Sequence, residues 1–75
     1  MNKMRRDQIH MVIQKISNII QVLEAILGDE QDAYDNMPDG LKESERGMNS
    51  IDAQESIESA MSALEDASAC LEEIC

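Results

Sequence analysis

The feature that most constrains this chain is an aliphatic repeat near its start. Its members are separated alternately by four and three residues, and they are Ile9, Ile13, Ile16, Ile20, Leu23 and Leu27. These spacings bring side chains to one face of a helix, as in a coiled-coil seam. Val12, Ile19 and Ile26 each precede a seam position and widen the stripe. The sequence therefore predicts a helix that needs more than one neighbouring helix to cover it.

A second repeat, near the other end, differs in character. The stripe consists of Ile57, Ala60, Leu64, Ala67, Leu71 and Ile74 at spacings of three and four, and the small residues Ala53, Ala60 and Ala67 repeat every seven residues. Small side chains at heptad intervals let two antiparallel backbones approach closely. We therefore expect this small-residue row to face the isoleucine ridge of the first helix.

The boundaries follow from proline, glycine and serine. The first pattern runs through Gly28, and Pro38 ends it, because the residue before proline avoids the helical region. Ser44 is the preferred N-cap of the second helix, with Ser50 as the alternative start. Gly47 is then expected to be tolerated in the first turn at about 1 kcal/mol. The predicted elements are a first helix over about 5–36, a turn over about 37–43 and a second helix over about 44–75.

These elements predict an all-α fold, a single antiparallel two-helix hairpin of coiled-coil type over residues 1–75. A hairpin alone would leave a large apolar patch exposed, which soluble monomers rarely show. Homodimerisation to a four-helix bundle is the simplest closure. A different protein could supply the cover instead. Dimer or tetramer, and intrachain or swapped helices, stay open.

Charge is unevenly distributed along the chain. The net charge of −10 divides into +2 over residues 1–27, −5 over 28–47 and −7 over 48–75. Such a field repels phosphate backbones, so we expect no direct nucleic-acid binding. The three basic residues near the start are only a weak indication of a phosphate-binding surface. A partner protein with a basic surface fits better. The candidate acidic face consists of Asp52, Glu55, Glu58, Glu65, Asp66, Glu72 and Glu73.

We expect a cytoplasmic protein of a bacterial cell, with no leader and no membrane segment. The apolar positions that follow the basic start are interrupted by polar residues, and no run reaches the roughly 18 apolar residues that read as a membrane span. Cys70 and Cys75 would point about 140° apart on a helix, which disfavours a bridge between them. Free thiols in a reducing compartment are the expected state.

The stretch YDNMPDGLKESERG does not fit the ligand pattern of a calcium-binding loop. With Asp35 as its first position, Met37 takes the third place and Arg46 the twelfth, where oxygen ligands are required. The interpretation we favour is a turn at Pro38, Asp39 and Gly40.

No other pattern assembles a catalytic or metal site. His10 has no partner at ligand spacing, and no Glu-x-x-His pair is present for a di-metal centre. A nucleophile, a base and an orienting group do not occur together. We expect no enzyme activity, no catalytic or metal-ligating residue and no cofactor.

The junction from Tyr34 to Arg46, with its DNMP turn and SER helix start, resembles small uncharacterised proteins of bacteriophages and gut Firmicutes. The resemblance implies no catalytic residues. It implies a phage or prophage setting, in which small acidic proteins often bind a host protein.

The expected function is thus a non-enzymatic interaction module that binds a host or phage protein through its acidic surface. In its sharper form this surface mimics nucleic acid and inhibits a bacterial defence system. The alternatives are a purely structural oligomerisation module and, more remotely, a metal-binding protein.

Overall fold

Two long helices and one short one make up the whole chain. The computed structural model describes residues 1–75, with α1 at Lys3–Asp35, α2 at Asp39–Lys42 and α3 at Glu45–Glu72. The molecule measures 58 × 15 × 12 Å, the shape of two long helices side by side. The predicted all-helical class is confirmed, and the elongated shape is that of a hairpin.

Local chemistry accounts for both ends of α1. The side-chain oxygen of Asn2 accepts the backbone N–H of Arg5 at 2.9 Å, an N-cap that satisfies one free donor of the first turn. The last helical bond runs from Asn36 N–H to the carbonyl of Asp32 at 3.0 Å, and Pro38 prevents continuation. The helix passes through Gly28 without interruption, as the heptad pattern predicts.

The connection contains a helical turn that the sequence prediction did not include. Pro38 is the N-cap of α2, and Ser44 the N-cap of α3 with an extended backbone. The Ser44 hydroxyl donates back to the carbonyl of Leu41 at 2.5 Å instead of capping α3. α3 nevertheless begins directly after Ser44, as predicted, and Ser50, the alternative start, lies inside the helix.

Gly47 is required, which corrects the expectation that it is merely tolerated. The first turn of α3 lies against α2, and a Cβ at Gly47 would be 2.6 Å from the Cα of Lys42. Carbon atoms that are not bonded do not approach that closely. Glycine permits the close approach of the two helices at the bend.

The long helices pack antiparallel along most of their length. Glu30 meets Ser50 near the bend, and the Cys75 thiol lies 3.9 Å from the carbonyl oxygen of Arg6 at the open end. The half-buried positions of α1 are its predicted repeat, continued into the bend, together with Gly28, and they are Ile9, Ile13, Ile16, Ile20, Leu23, Leu27, Gly28, Glu30 and Tyr34.

The contact row of α3 differs from the predicted one. It consists of Gly47, Ser50, Gln54, Ile57, Met61, Leu64, Ser68 and Leu71, again at spacings of three and four. Ile57, Leu64 and Leu71 are common to both rows. Ala60, Ala67 and Ile74 are exposed, so the expectation that the small row faces α1 is wrong. One residue along a helix is a rotation of about 100°, which turns that row to the side of the seam.

The hairpin has no apolar core of its own. Gly47 and Ser50 are the only buried residues, and no apolar side chain of the seam is fully buried. Because a two-helix pair covers each seam from one side only, the aliphatic side chains stay partly in water.

Candidate interaction surfaces

A polar layer interrupts the apolar seam near the bend. The Ser50 hydroxyl donates to Glu30 Oε1 at 2.9 Å, and Gln54 Nε2 donates to Ser50 Oγ at 3.3 Å. Ser50 is 4% exposed. Glu30 falls on a heptad position of α1, where the pattern alone predicts an apolar residue. A buried polar group that finds its partner in only one alignment favours a single register of the two helices.

One face of the hairpin is mainly aliphatic, with Lys15 and Asp29, which also directly precede seam residues, at its edge. We define this aliphatic face by six residues that each directly precede a seam residue of their own helix: Val12, Ile19 and Ile26 on α1, and Ala53, Ala60 and Ala67 on α3. The same rotational step on two antiparallel helices leads to the same side of the pair. Val12, Ile19 and Ile26 are 45%, 48% and 46% exposed.

The two rows of the aliphatic face are aligned in height. Glu30 of α1 contacts Ser50 of α3. Ile26 lies four residues before Glu30, and Ala53 lies three residues after Ser50. At 1.5 Å per residue, Ile26 and Ala53 are within about 1.5 Å of the same level. Seven-residue steps along both helices repeat this match for Ile19 with Ala60 and for Val12 with Ala67.

The opposite face carries a shallow groove with acidic edges. Its volume is about 610 Å³, and it is lined by Ile13, Gln14, Ser17, Ile20, Gln21, Glu24, Glu65, Ser68, Ala69 and Glu72. No basic residue lines it. Glu58, Glu65 and Glu72 each directly follow a seam residue, which places all three on this groove side.

All seven acids of the predicted acidic face are exposed. From Glu72, beside the groove, to Asp52, on the back of α3, they span an arc of about 160° on the helical wheel. None forms an ion pair, because the only ion pair of the molecule joins Lys3 and Asp7 at 3.2 Å. The negative charge of the acidic face is therefore not neutralised by ion pairs, and it avoids the aliphatic side of α3.

The remaining candidate residues do not converge. His10 is exposed, and Cys70 and Cys75 are exposed free thiols. At the bend, Lys42 Nζ lies 5.3 Å from the centre of the Tyr34 ring, a cation–π contact within the attractive range. No three His, Cys, Asp or Glu side chains come together as a potential metal-binding group.

The length and composition of α1 would also suffice for a membrane helix. An 18-residue window reaches a mean hydropathy of 1.3, although no uninterrupted apolar run exists. Core helices of soluble proteins and N-terminal signals satisfy the same test, so this is weak evidence.

Comparison with protein-family models, curated proteins and solved structures returned no match to this chain. The structure itself defines the class, an all-helical protein in which two long helices form an elongated antiparallel pair.

Proposed function

We propose that this chain is a non-enzymatic interaction module that homodimerises into a four-helix bundle and binds a partner protein with a basic surface. One observation carries the binding proposal: every acid of the acidic face is exposed and none is paired with a base. Unpaired surface charge of one sign steers an oppositely charged partner and accelerates its association.

The proposed setting is a phage or another mobile element in a bacterial cytoplasm, and the proposed partner is a host or phage protein. In the sharper form of the proposal, the acidic face occupies a groove that normally holds nucleic acid, as an inhibitor of a defence nuclease would. The broad arc of carboxylates, with no intervening base, supports this form.

The test compares proteins captured from a bacterial lysate by the wild type and by two triple variants. Glu58, Glu65 and Glu72 are changed to lysine in the first variant, and Asp29, Asp32 and Asp35 near the bend in the second. Both raise the net charge by the same amount, so only position differs. The proposal expects the first variant to lose the partner and the second to retain it. Equal retention by both would contradict it.

Competition with nucleic acid tests the sharper form. If the acidic face mimics nucleic acid, an excess of a DNA or RNA oligonucleotide should displace the captured partner at constant ionic strength. Binding that is unaffected by the oligonucleotide leaves the interaction module but removes mimicry.

A second candidate is a purely structural module whose only function is to oligomerise. The observation that favours it is the hairpin's lack of any buried apolar side chain, which makes another helical surface the natural cover. In this case Ile16→Asp, in the seam, abolishes both assembly and biological function, whereas the acidic-face variant retains both.

A further inference from the structure

We infer that the aliphatic face is covered by the same face of a second copy, with both hairpin bends at the same end of the dimer. This inference rests on the proposed homodimer and specifies its surface and geometry. The surface is the one defined above, in which three large aliphatic residues of α1 stand level with three alanines of α3.

The total exposed area of the chain exceeds that of a typical monomer of its mass by about the area of one side of a dimer interface. A folded monomer of 8.4 kDa is expected to expose about 4,600 Å² from the scaling of area with mass. This chain exposes 5496 Å². The excess of about 900 Å² is close to the roughly 800 Å² that each partner buries in an interface of standard size.

Charge selects a second copy over a partner of another kind. Between Ala53 and Ile74 the aliphatic side of α3 carries no charged residue, whereas the rest of its surface over the same stretch carries six acids. Pairing the six defining residues of each face removes only neutral side chains from water and leaves the acids of α3 in both copies on the outside. A partner that recognises charge would instead use the acidic side.

The matched heights select the arrangement. A two-fold axis parallel to the long axis of the hairpin places α1 of one copy over α3 of the other and preserves height. Ile19 then lies opposite Ala60 of the second copy, and the flanking pairs match in the same way. Each large side chain meets a small one, as close packing requires.

An axis perpendicular to the helices gives the opposite arrangement, with the bends at opposite ends. It stacks α1 on α1 and α3 on α3, so the aliphatic ridges separate the copies and leave space between the alanines. This alternative would bring the basic helix start near the acidic bend of the other copy. Such exposed ion pairs contribute little in salt solution, so we expect packing to decide.

The test measures mass in solution and the distance between the two bends. In a background with Cys70→Ser and Cys75→Ser, a spin label is attached at Gly40→Cys, where an added side chain meets nothing within 4 Å. Bends at the same end lie within about two helix spacings, roughly 20 Å before the reach of the labels is added. Bends at opposite ends are separated by most of the 58 Å length.

The expected result is a mass of two chains and a distance between the labels below about 35 Å, which adds the reach of the labels to the helix spacing. A two-chain mass with the long distance overturns the shared-end arrangement but leaves the proposed dimer. A mass of one chain overturns both the dimer and its arrangement. A mass above two chains overturns the inference that one second copy covers the aliphatic face.

A further variant distinguishes the two arrangements by whether it weakens or tightens dimerisation. In the shared-end arrangement, Ala60→Leu places a large side chain opposite Ile19 of the second copy. It should therefore weaken dimerisation by at least tenfold. In the opposite arrangement it would fill the space between the two α3 helices and tighten the dimer. Ala69→Leu, exposed and on the groove side of α3, is the control and should leave the dissociation constant unchanged.

Discussion

The Ser50 hydroxyl donates a hydrogen bond of 2.9 Å to the Glu30 carboxylate, at a point where the heptad pattern of α1 would place an apolar residue. The two residues come from opposite sides of the bend and meet in one alignment of the helices only. A shift of one heptad would separate them and leave Ser50, at 4% exposure, facing aliphatic side chains.

Removal of the Ser50 hydroxyl tests this polar layer. Ser50→Ala should lower the free energy of unfolding by about 1–3 kcal/mol, because Glu30 loses a donor in a part-buried place. Urea denaturation measures the loss, with Ser62→Ala on the exposed surface as the control. The double variant Glu30→Leu and Ser50→Ala should recover much of it, since no polar group is then left without a partner. Additive losses would argue against the interaction.

The glycines of the two helices should respond oppositely to alanine. Gly47→Ala should destabilise the fold by about 1–3 kcal/mol, because its Cβ would overlap the Lys42 backbone. Gly28→Ala meets nothing within 4 Å and lies inside α1, so it should stabilise by up to about 1 kcal/mol. Thermal melting of the two variants gives both signs, and a stabilising Gly47→Ala would show that the bend differs.

Truncation of Met61 tests the corrected contact row of α3. Met61→Ala removes a half-buried seam side chain and should cost about 1–2 kcal/mol, less than the 2–5 kcal/mol of a fully buried one. Met48→Ala is the matched control, since Met48 is 63% exposed and its loss should stay within about 0.5 kcal/mol. Equal effects in chemical denaturation would contradict the observed register.

Stability should depend on protein concentration. If a second copy supplies the missing core, a hundredfold rise in concentration stabilises the folded dimer by about 2.7 kcal/mol, which is about 1.4 kcal/mol per chain. The thermal midpoint should rise accordingly in circular dichroism. Ile19→Asp should abolish this dependence, whereas Gln21→Asp adds the same charge on the groove side and should preserve it. A midpoint independent of concentration in the wild type would count against the dimer.

Salt should stabilise the protein. The net charge is −10, and a single ion pair offsets little of it, so mutual repulsion of the acids opposes the folded state. Added sodium chloride screens this repulsion over about 10 Å at 0.1 M, and the melting temperature should increase. The triple lysine variant at Glu58, Glu65 and Glu72 should show a smaller increase, because its repulsion is already reduced.

Several features could be read from single residues and their spacing. The repeat from Ile9 to Leu27 predicted the α1 seam, since uninterrupted aliphatic periodicity has one interpretation. Pro38 predicted the end of α1 within three residues, because its ring restricts the preceding backbone. Ser44 also predicted the start of α3, although its hydroxyl bonds the carbonyl of Leu41 and does not make the capping bond on which that prediction rested. The charge distribution likewise anticipated an exposed acidic side of α3, as carboxylates without nearby bases remain in water.

The face of α3 that meets α1 could not be read in this way. Ala60 and Met61 are adjacent, both are apolar, and each continues a spacing of three and four with Ile57 and Leu64. Hydropathy gives serine and glutamine no preference for the seam, so Ser50, Gln54 and Ser68 went unrecognised. Once α1 is adjacent, the bulk of Met61 and the hydrogen bonds of Ser50 select one rotation of the helix.

The sequence alone determined two long amphipathic helices, their approximate ends and the separation of acidic from aliphatic surface, because these depend on neighbours within a few turns. Only the tertiary structure decided that Gly47 must be glycine, that Glu30 belongs to the seam and that the alanine row stands beside Val12, Ile19 and Ile26. Each of these depends on atoms brought together across the bend. Their proximity follows from how α2 directs α3 back along α1, which no spacing within one helix encodes.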